Sequence, residues 1–503
     1  MIVVGYAALF ATWVVGNPLG RAPDEPAHYV KTLAVGNGDV VGRRVPAAPV
    51  GLSRTQRAWM DATERLFVLP SRQALIPDLP CNPVDPTISA ACQQGWPSKA
   101  GRAQPTYVGS YQPYAYVAPG LAMRLGGSPW SAWVLGRATF ALLSLALIAL
   151  GLLALGASPI TTAALALAVT PMAVFLGSSL NPSGIETAAA VSFAAGLAAL
   201  LRDGPLRWPA WVALVAGGVF LAATRSLGPY FVVVLAVLFV LAFGSRDTWT
   251  RLGKARVPAV VATVAIGAAA VANVAWEQSQ QPHLSLAPSL LGHLSLATVP
   301  RLVTELIGRF GWLEAPLPAA ATLAWLALVA GLVVLALTAS PWRQRASMLG
   351  LVAVVGGLLV LLRTVLPIDT GFTAQGRYVL PIAVAIPIMA GELVRRRETR
   401  LPARITMNFA ALAVAVAAVV QGVALYSNSR RYAVGTSGPR WFLGHALWSP
   451  PGGWWIWLGV GAAGAVLLAA GGLIPSAPDA RTGAAADPPS PSPAGARRRA
   501  STL

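Results

Sequence analysis

The chain has 503 residues, of which 55% are hydrophobic and only 11% are charged. Apolar runs of about 18 to 25 residues recur along it, the length that crosses a bilayer as a helix, so we predict an all-α polytopic membrane protein. The net charge of +19 lies in short basic groups between apolar runs, as orientation signals do, and we expect no nucleic-acid partner.

The apolar runs predict about twelve transmembrane helices, in one transmembrane domain over residues 1–474. They cover residues 1–16, 129–155, 159–179, 184–201, 208–224, 229–244, 257–275, 319–339, 348–366, 379–394, 405–426 and 454–474. The first run lacks a basic leading segment and a small-residue cleavage site, so we expect an uncleaved membrane anchor. Residues 475–503, rich in Pro, Ala and Ser, predict a disordered cytoplasmic tail.

Basic residues predict the orientation, because cytoplasmic loops carry an excess of Lys and Arg. The richest short loops and the tail contain Arg202, Arg207, Arg246, Arg251, Lys254, Arg256, Arg343, Arg345, Arg395, Arg396, Arg397, Arg400, Arg404, Arg481 and Arg497 to Arg499. We therefore expect a cell-membrane protein with both termini in the cytoplasm. The loops that contain Asp24, Asn181, Arg225 and Asp369 would then be external.

The first external loop, about residues 17–128, is the segment large enough to build structure outside the bilayer. It contains a predicted helix from Pro26 to about Val35, an amphipathic stretch from Ser53 to Leu69, and the Tyr-rich residues 107–116. The two cysteines of the chain, Cys81 and Cys92, both lie in it. On the oxidising side they predict one disulfide, worth about 2–4 kcal/mol, whereas no nearby group gives them zinc-ligand spacing.

Two adjacent carboxylates, Asp24 and Glu25, directly follow the first apolar run. Pro26 is favoured in the first turn of a helix, so one interpretation is that either acid caps that helix. The alternative is a functional site, since acids at a membrane rim are costly, and a carboxylate there can accept a proton from an attacking hydroxyl. His28 lies one helical turn after Asp24 and would either orient the carboxylate or form a local pair.

Two arginines at the predicted external face are candidates for binding a phosphate. Arg377 lies between Gly376 and Tyr378 at the start of the tenth run, and Arg225 ends the fifth. A guanidinium can bind two phosphate oxygens and stabilise a phosphate leaving group, although Arg near helix ends also reaches to the interface without a ligand. Trp312, on a later external loop, fits an interfacial anchor better than a sugar-stacking residue.

Several motifs together resemble one family. They are Pro-Asp-Glu-Pro-Ala-His at 23–28, Tyr-Gln-Pro-Tyr-Ala-Tyr at 111–116, Asn-Pro-Ser-Gly at 181–184 and Gln-Gly-Arg-Tyr-Val-Leu-Pro at 375–381. Over residues 15–395 the chain resembles the DUF2142 family of predicted multi-pass membrane proteins, which is similar to GT-C glycosyltransferases. The resemblance implies a GT-C-like helical fold, a lipid-phosphate-linked sugar donor and a catalytic acid on the first external loop. Ser183 stands where such turns are expected to have Asp, which puts a catalytic or metal role for that turn in doubt.

The predicted function is transfer of a sugar from a polyprenyl-phosphate-linked donor to a glycan, lipid or protein acceptor of the cell envelope. The expected catalytic residues are Asp24, Glu25 and His28, and the expected donor-phosphate ligands are Arg377, Arg225 and Tyr378. The alternative is a transporter or flippase of lipid-linked sugars, for which polar residues at mid-membrane and broken helices are typical. No nucleotide-binding motif is present; the cofactor and any metal site are not identified, and a divalent cation stays an open alternative.

Overall fold

The computed structural model describes residues 1–46, 51–75, 84–93, 101–156, 158–280 and 299–473. Nineteen α-helices lie in this part of the chain. The first ten are α1 (Ile2–Gly16), α2 (Glu25–Gly36), α3 (Arg54–Thr63), α4 (Val117–Met123), α5 (Pro129–Leu155), α6 (Pro159–Ala168), α7 (Pro171–Gly177), α8 (Pro182–Leu200), α9 (Trp208–Thr224) and α10 (Gly228–Phe243). The others are α11 (Arg246–Lys254), α12 (Arg256–Gln280), α13 (Val299–Ile307), α14 (Ala319–Ala339), α15 (Trp342–Thr370), α16 (Leu380–Ala383), α17 (Ala385–Arg395), α18 (Ala403–Val434) and α19 (Trp454–Leu473).

The few strands form two small antiparallel sheets. Strands β1 (Arg43–Arg44), β2 (Arg65–Val68) and β3 (Ala103–Thr106) pair in the order β1-β2-β3, with Arg44 opposite Arg65 and Arg65 opposite Thr106. Strands β4 (Arg309–Phe310) and β5 (Ala315–Pro316) form a hairpin.

All twelve predicted apolar runs coincide with helices, and α5, α9 and α14 have the predicted bounds. Among the described residues, seven helices are long and apolar enough to cross a membrane, or up to nine if each of two bent pairs is one span. Helices α1 and α9 are apolar but shorter. The all-α membrane fold is therefore confirmed, while the count of twelve spans stays a prediction.

The predicted span 159–179 is bent rather than straight. Helices α6 and α7 meet at 61° because Pro171 begins α7, and a proline lacks the backbone N–H that would continue the preceding helix. The Thr170 hydroxyl accepts a hydrogen bond from the Ala173 N–H (3.2 Å) and donates to the Leu306 carbonyl (2.9 Å). The polar groups at the break therefore find hydrogen-bond partners within the protein, as they must where irregular backbone lies inside a membrane.

The core of the bundle is α8, which is buried along almost its whole length and packs against α5 and α9. Close approach depends on small residues, as is usual between membrane helices. At Gly217 of α9, a Cβ atom would lie 2.4 Å from the Phe193 backbone nitrogen of α8. A larger residue there would force the two helices apart.

The first loop folds into a compact layer over one end of the bundle. The predicted helix 26–35 is confirmed as α2, and all twelve of its residues are buried. The amphipathic stretch 53–69 divides into α3, which begins with a capping box between Ser53 and Gln56, and β2. The Gln56 side chain donates to the Gly371 carbonyl after α15 (3.0 Å), so α3 is fastened to the end of a membrane helix.

The connecting loops gather at two opposite ends of the bundle. Asn181 and Arg202 lie at the two ends of α8. We call the end of the bundle near Asn181, which contains a cavity, the cavity end, and the end near Arg202 the basic end. At the basic end the buried Glu392 carboxylate forms ion pairs with Arg202 (2.6 Å), Arg395 (2.9 Å) and Arg396 (2.9 Å). Arg251 also donates to the Arg202 carbonyl (2.6 Å), so three of the described loops that are predicted to be cytoplasmic are in contact. Which end faces the cytoplasm stays a prediction.

Two predictions concern residues that are not among those described. Cys81 and the tail from residue 475 lie outside the described residues, so the disulfide with Cys92 and the disordered tail stay predictions.

Candidate active site

Asp24 has an unusual backbone conformation for a residue that precedes a helix. It precedes α2 with φ 61° and ψ 8°, in the left-handed region, and its side chain makes no capping hydrogen bond. Such a conformation costs a non-glycine residue roughly 1–3 kcal/mol and is concentrated at functional sites. The capping interpretation therefore does not hold for Asp24, whose carboxylate is directed elsewhere.

The Asp24 carboxylate is held by two side chains from distant segments. Arg377 donates through Nη2 to Oδ2 (2.5 Å), and the Tyr107 hydroxyl donates to Oδ1 (2.8 Å). Burial raises the pKa of Asp24, but the charge of Arg377, with further contributions from His28 and Tyr107, outweighs burial and leaves the pKa below its usual value. The side chain is 26% exposed, so an ionised carboxylate is accessible to a ligand.

Glu25 has a different environment from its neighbour. It is fully buried and forms a two-pronged ion pair with Arg137 of α5, with Nε–Oε1 and Nη2–Oε2 distances of 2.6 Å. Its oxygens also accept hydrogen bonds from the backbone N–H groups of Gly20 (2.9 Å) and Leu180 (3.1 Å). Glu25 therefore joins the start of α2 to α5 and to the segments that follow α1 and α7.

His28 is buried in α2 behind Asp24. Its Nδ1 lies 2.8 Å from the Tyr116 hydroxyl. Burial lowers the pKa of His28 to about 3, an effect that Asp24 opposes and that Arg225 and Arg377 reinforce. The imidazole is therefore neutral near pH 7, and its contacts position the Tyr-rich segment against α2.

Arg377 is held in a short 3-10 turn between α15 and α16. The preceding residue, Gly376, donates its N–H to Glu305 (2.7 Å) and leaves no room for a side chain, since a Cβ would lie 2.3 Å from the Leu302 carbonyl oxygen. The Arg377 side chain is only 2% exposed. Burial lowers its pKa, but Asp24 and Tyr378 raise it by more, so the cation is a permanent partner of Asp24.

Arg225 lies at the C-terminal end of α9, with its guanidinium between two aromatic rings. The Tyr111 and Tyr378 ring centroids are 5.4 and 5.5 Å from its Cζ atom. It donates through Nη1 to the Ser183 hydroxyl (3.0 Å), and its Nε lies 3.9 Å from a Glu186 carboxylate oxygen. Because its side chain is 21% exposed, Arg225 presents a fixed cation that a ligand can reach.

A cavity of about 510 Å³ lies at the cavity end, between the first-loop layer and the helix ends. This volume is in the range of small-molecule sites. Of the predicted site residues, Asp24, Arg225 and Tyr378 line it, whereas Glu25, His28 and Arg377 lie behind its wall. The remaining wall is mixed. It includes the acids Glu186 and Glu277, the aromatic residues Trp59, Tyr107, Tyr111 and Trp312, and the apolar Met60, Leu313, Leu362 and Leu366.

The Asn-Pro-Ser-Gly turn supports the same site. Asn181 caps α8 by accepting from the Ser183 N–H (3.0 Å), and its side-chain amide donates to the Pro23 carbonyl (3.0 Å). It therefore holds the residue before Asp24, while Ser183 holds Arg225. This turn connects the candidate acid to the candidate phosphate ligand.

Several cavity residues were not predicted to be functional from the sequence. Glu277 at the end of α12 has no sequence signal, and α3 contributes Trp59 although it looks like an ordinary amphipathic helix. Trp312 was interpreted as an interfacial anchor, but it lines the cavity, with its indole N–H donating to the Gly20 carbonyl (3.0 Å). The Tyr-rich segment 107–116 was noted in the sequence, and Trp312 was considered as a sugar-stacking residue before the anchor interpretation was preferred. Among the described residues, no group of three or more His, Cys, Asp or Glu side chains could hold a metal ion.

The family model described as "Predicted membrane protein (DUF2142)" matches residues 8–386. No curated protein matches the chain. Two crystal structures of ArnT from Cupriavidus metallidurans are similar to it, one bound to undecaprenyl phosphate and one in the apo state. The first is 14% identical, with 93% of this chain and 75% of that chain covered, and the second is 16% identical, with 94% and 76% covered. Both have a TM-score of 0.44, and at this level the likeness supports no inference about this chain.

Proposed function

The chain belongs to the DUF2142 family of predicted membrane proteins, and from that premise we propose that it is a membrane glycosyltransferase. Its donor would be a sugar linked to a polyprenyl phosphate, and its acceptor a hydroxyl-bearing glycan, lipid or protein of the cell envelope at the external face. The resemblance to GT-C glycosyltransferases described above motivates the substrate class, and the cavity supplies the chemistry.

The observation that supports the proposal most is the strained Asp24 on the wall of the cavity that Arg225 also lines. The strained backbone of Asp24 is not compensated by a capping hydrogen bond. In this conformation its ionised carboxylate lines a cavity that is large enough for a sugar phosphate. Arg225, fixed by Ser183 and two tyrosine rings, supplies the positive charge that a phosphate needs. A helix-capping or purely structural acid would require neither the cavity nor the second fixed charge.

In the proposed reaction an acceptor hydroxyl attacks the anomeric carbon of the donor sugar. The new bond joins the acceptor oxygen to that carbon, and the bond from the carbon to the phosphate oxygen breaks. The electron pair leaves with the polyprenyl phosphate, whose added negative charge Arg225 stabilises. The hydroxyl proton passes to the Asp24 carboxylate, which acts as general base.

In the proposal the other predicted site residues position Asp24 and Arg225. Arg377 and Glu25 lie behind the cavity wall, so we assign them positioning roles: Arg377 orients Asp24, and Glu25 fixes the backbone before α2 through Arg137. His28 fixes the Tyr-rich wall. Tyr378 lines the cavity and packs against both arginines, which suits it to hold Arg225 while contacting the donor phosphate.

The test is transfer by the purified protein in liposomes. A panel of polyprenyl-phosphate-linked hexoses and pentoses carrying a radiolabel is offered with a cell-envelope fraction as acceptor, and labelled product is separated from donor. Arg225→Lys keeps the charge but cannot bind two phosphate oxygens at once as a planar guanidinium does, so we expect weaker donor binding and slower turnover. Arg207→Lys at the basic end is the matched control and should be unaffected. Absence of transfer from every donor, or equal activity of both variants and wild type, would overturn the proposal.

The transporter alternative is supported by the two bent helix pairs, α6 with α7 (61°) and α10 with α11 (120°), since transporters use broken helices at their binding sites. No residue of these four helices lines the cavity. At the break between α6 and α7, Thr170 donates to the Leu306 carbonyl and Gln421 donates to the Val169 carbonyl (both 2.9 Å). We therefore favour the transferase; flipping of labelled lipid-linked sugar across liposomes without product formation would favour the transporter.

A further inference from the structure

A second polar cluster in the cavity wall has no part in the mechanism above. It consists of Gln112, Ser226 and Glu277. The amide of Gln112 and the hydroxyl of Ser226 both donate to the same carboxylate oxygen of Glu277, each at 2.7 Å. Gln112 is buried, and its amide nitrogen also lies 3.3 Å from the side-chain oxygen of Asn273. The position of the Glu277 carboxylate is therefore fixed by two hydrogen-bond donors to one of its oxygens.

Among the described residues no cation neutralises the charge of Glu277, unlike the charges of the other two cavity acids, Asp24 and Glu186. Asp24 is paired with Arg377, and Glu186 lies 3.9 Å from Arg225. Glu277 forms no salt bridge with any described residue, and its second oxygen has no hydrogen-bond partner within the described ranges. A carboxylate in this state repels a phosphate and accepts hydrogen bonds from uncharged hydroxyls.

The chain itself places this cluster beside the candidate phosphate ligand. Ser226 directly follows Arg225, and Asn273 donates to the backbone carbonyls of Ala222 (2.7 Å) and Arg225 (2.9 Å). A group bound by Glu277 is therefore next to a phosphate bound by Arg225. In a lipid-linked donor the sugar is the part joined to that phosphate that carries hydroxyls.

We propose that Gln112, Ser226 and Glu277 form a hydroxyl-recognition subsite that binds the transferred sugar and selects it over the bare lipid phosphate. This inference rests on the proposed function. It assigns specificity to Glu277, with Gln112 and Ser226 as positioning residues that fix the carboxylate.

Binding of two probes tests the subsite: farnesyl phosphate, and farnesyl phosphate esterified to glucose, mannose, galactose or arabinose. Affinities are measured from tryptophan fluorescence of the purified protein, because Trp59 and Trp312 line the cavity. Glu277→Gln keeps the shape but removes the charge, so it should weaken binding of the preferred sugar-linked probe about 10-fold, the effect of one hydrogen bond to a charged group. Affinity for farnesyl phosphate should not fall, because the charge that Glu277→Gln removes repels a phosphate. Glu398→Gln at the basic end is the matched control.

Ser226→Ala is a second test of the subsite if Glu277→Gln does not fold. Ser226 is exposed, and its substitution removes only one hydrogen bond to the Glu277 carboxylate. It should weaken the sugar-linked probe alone. Equal weakening of both probes, or no change in either, would overturn the subsite and leave the glycosyltransferase proposal in place. Failure of the wild type to bind either probe would instead overturn both.

Discussion

Asp24 and Arg377 are 353 positions apart in the chain, yet they form a direct ion pair with an Nη2–Oδ2 distance of 2.5 Å. The pair joins the first loop to the turn before α16, and the cavity begins at its exposed carboxylate. It sets both the position and the ionisation of the candidate base.

The first prediction concerns the proton acceptor. Asp24→Asn keeps the size of the side chain but removes its basicity, so we expect turnover to fall about 10²- to 10⁴-fold with little change in donor affinity. Steady-state transfer and equilibrium donor binding are both measured. Asp39→Asn, an exposed acid of the same loop, should behave as wild type. Wild-type turnover by Asp24→Asn would refute the assignment.

Glu25→Gln should act on stability instead. It leaves the buried Arg137 without a counter-charge, and breaking a buried ion pair by removing one partner costs about 3–5 kcal/mol. We expect a clear drop in the thermal unfolding midpoint in detergent, larger than that of Asp24→Asn. If Glu25→Gln were as stable as wild type but inactive, the two acids would share the chemistry.

The pH dependence should change in Arg377→Gln. Arg377 lowers the pKa of Asp24, and a carboxyl with a lowered folded-state pKa stabilises the fold above its unfolded pKa and loses that contribution as the pH falls through the folded pKa. Without the arginine, burial dominates and the pKa rises. The acid limb of the kcat/KM profile should therefore move to higher pH. An unmoved acid limb would show that Asp24 does not control it.

Orientation is testable with introduced cysteines. Glu398→Cys lies at the basic end and Thr373→Cys at the cavity end, both in exposed positions. In a background in which Cys81 and Cys92 are serine, an impermeant thiol reagent added to intact cells should label Thr373→Cys alone. Both sites should react in permeabilised cells. Labelling of both from outside would contradict the two-ended arrangement, and labelling of Glu398→Cys alone would invert it.

The predicted disulfide is tested by alkylation. Denatured, non-reduced protein should leave Cys81 and Cys92 unmodified, and prior reduction should expose both. Mass spectrometry of the peptides that contain these residues distinguishes the outcomes. Free alkylation without reduction would remove the disulfide and, with it, part of the argument that this loop is external.

Local signals made most helices predictable. The bounds of α5 follow from Ser128 and Pro129 at one end and Gly156 at the other, because caps and breakers act within a few residues. The site was only partly predictable. The acid pair was recognised, but which acid faces the cavity depends on Arg137 and Arg377, 112 and 353 positions away. No periodicity reports such pairings, and Glu277 looks like any acid at a helix end.

The wide separation of these partners determines the order in which the protein can be assembled during synthesis. The loop before α2 emerges from the ribosome early, but the partners of its two acids, Asp24 and Glu25, are made one at a time. They are Tyr107, then Arg137, then the Leu180 N–H, and last Arg377. A nascent chain that ends before residue 377 would have most of its membrane helices and no restraint on the Asp24 carboxylate from that arginine. Under the proposed mechanism, catalytic competence is therefore a late event in biogenesis, and the growing chain would stay inert towards lipid-linked sugars until the turn before α16 has been made.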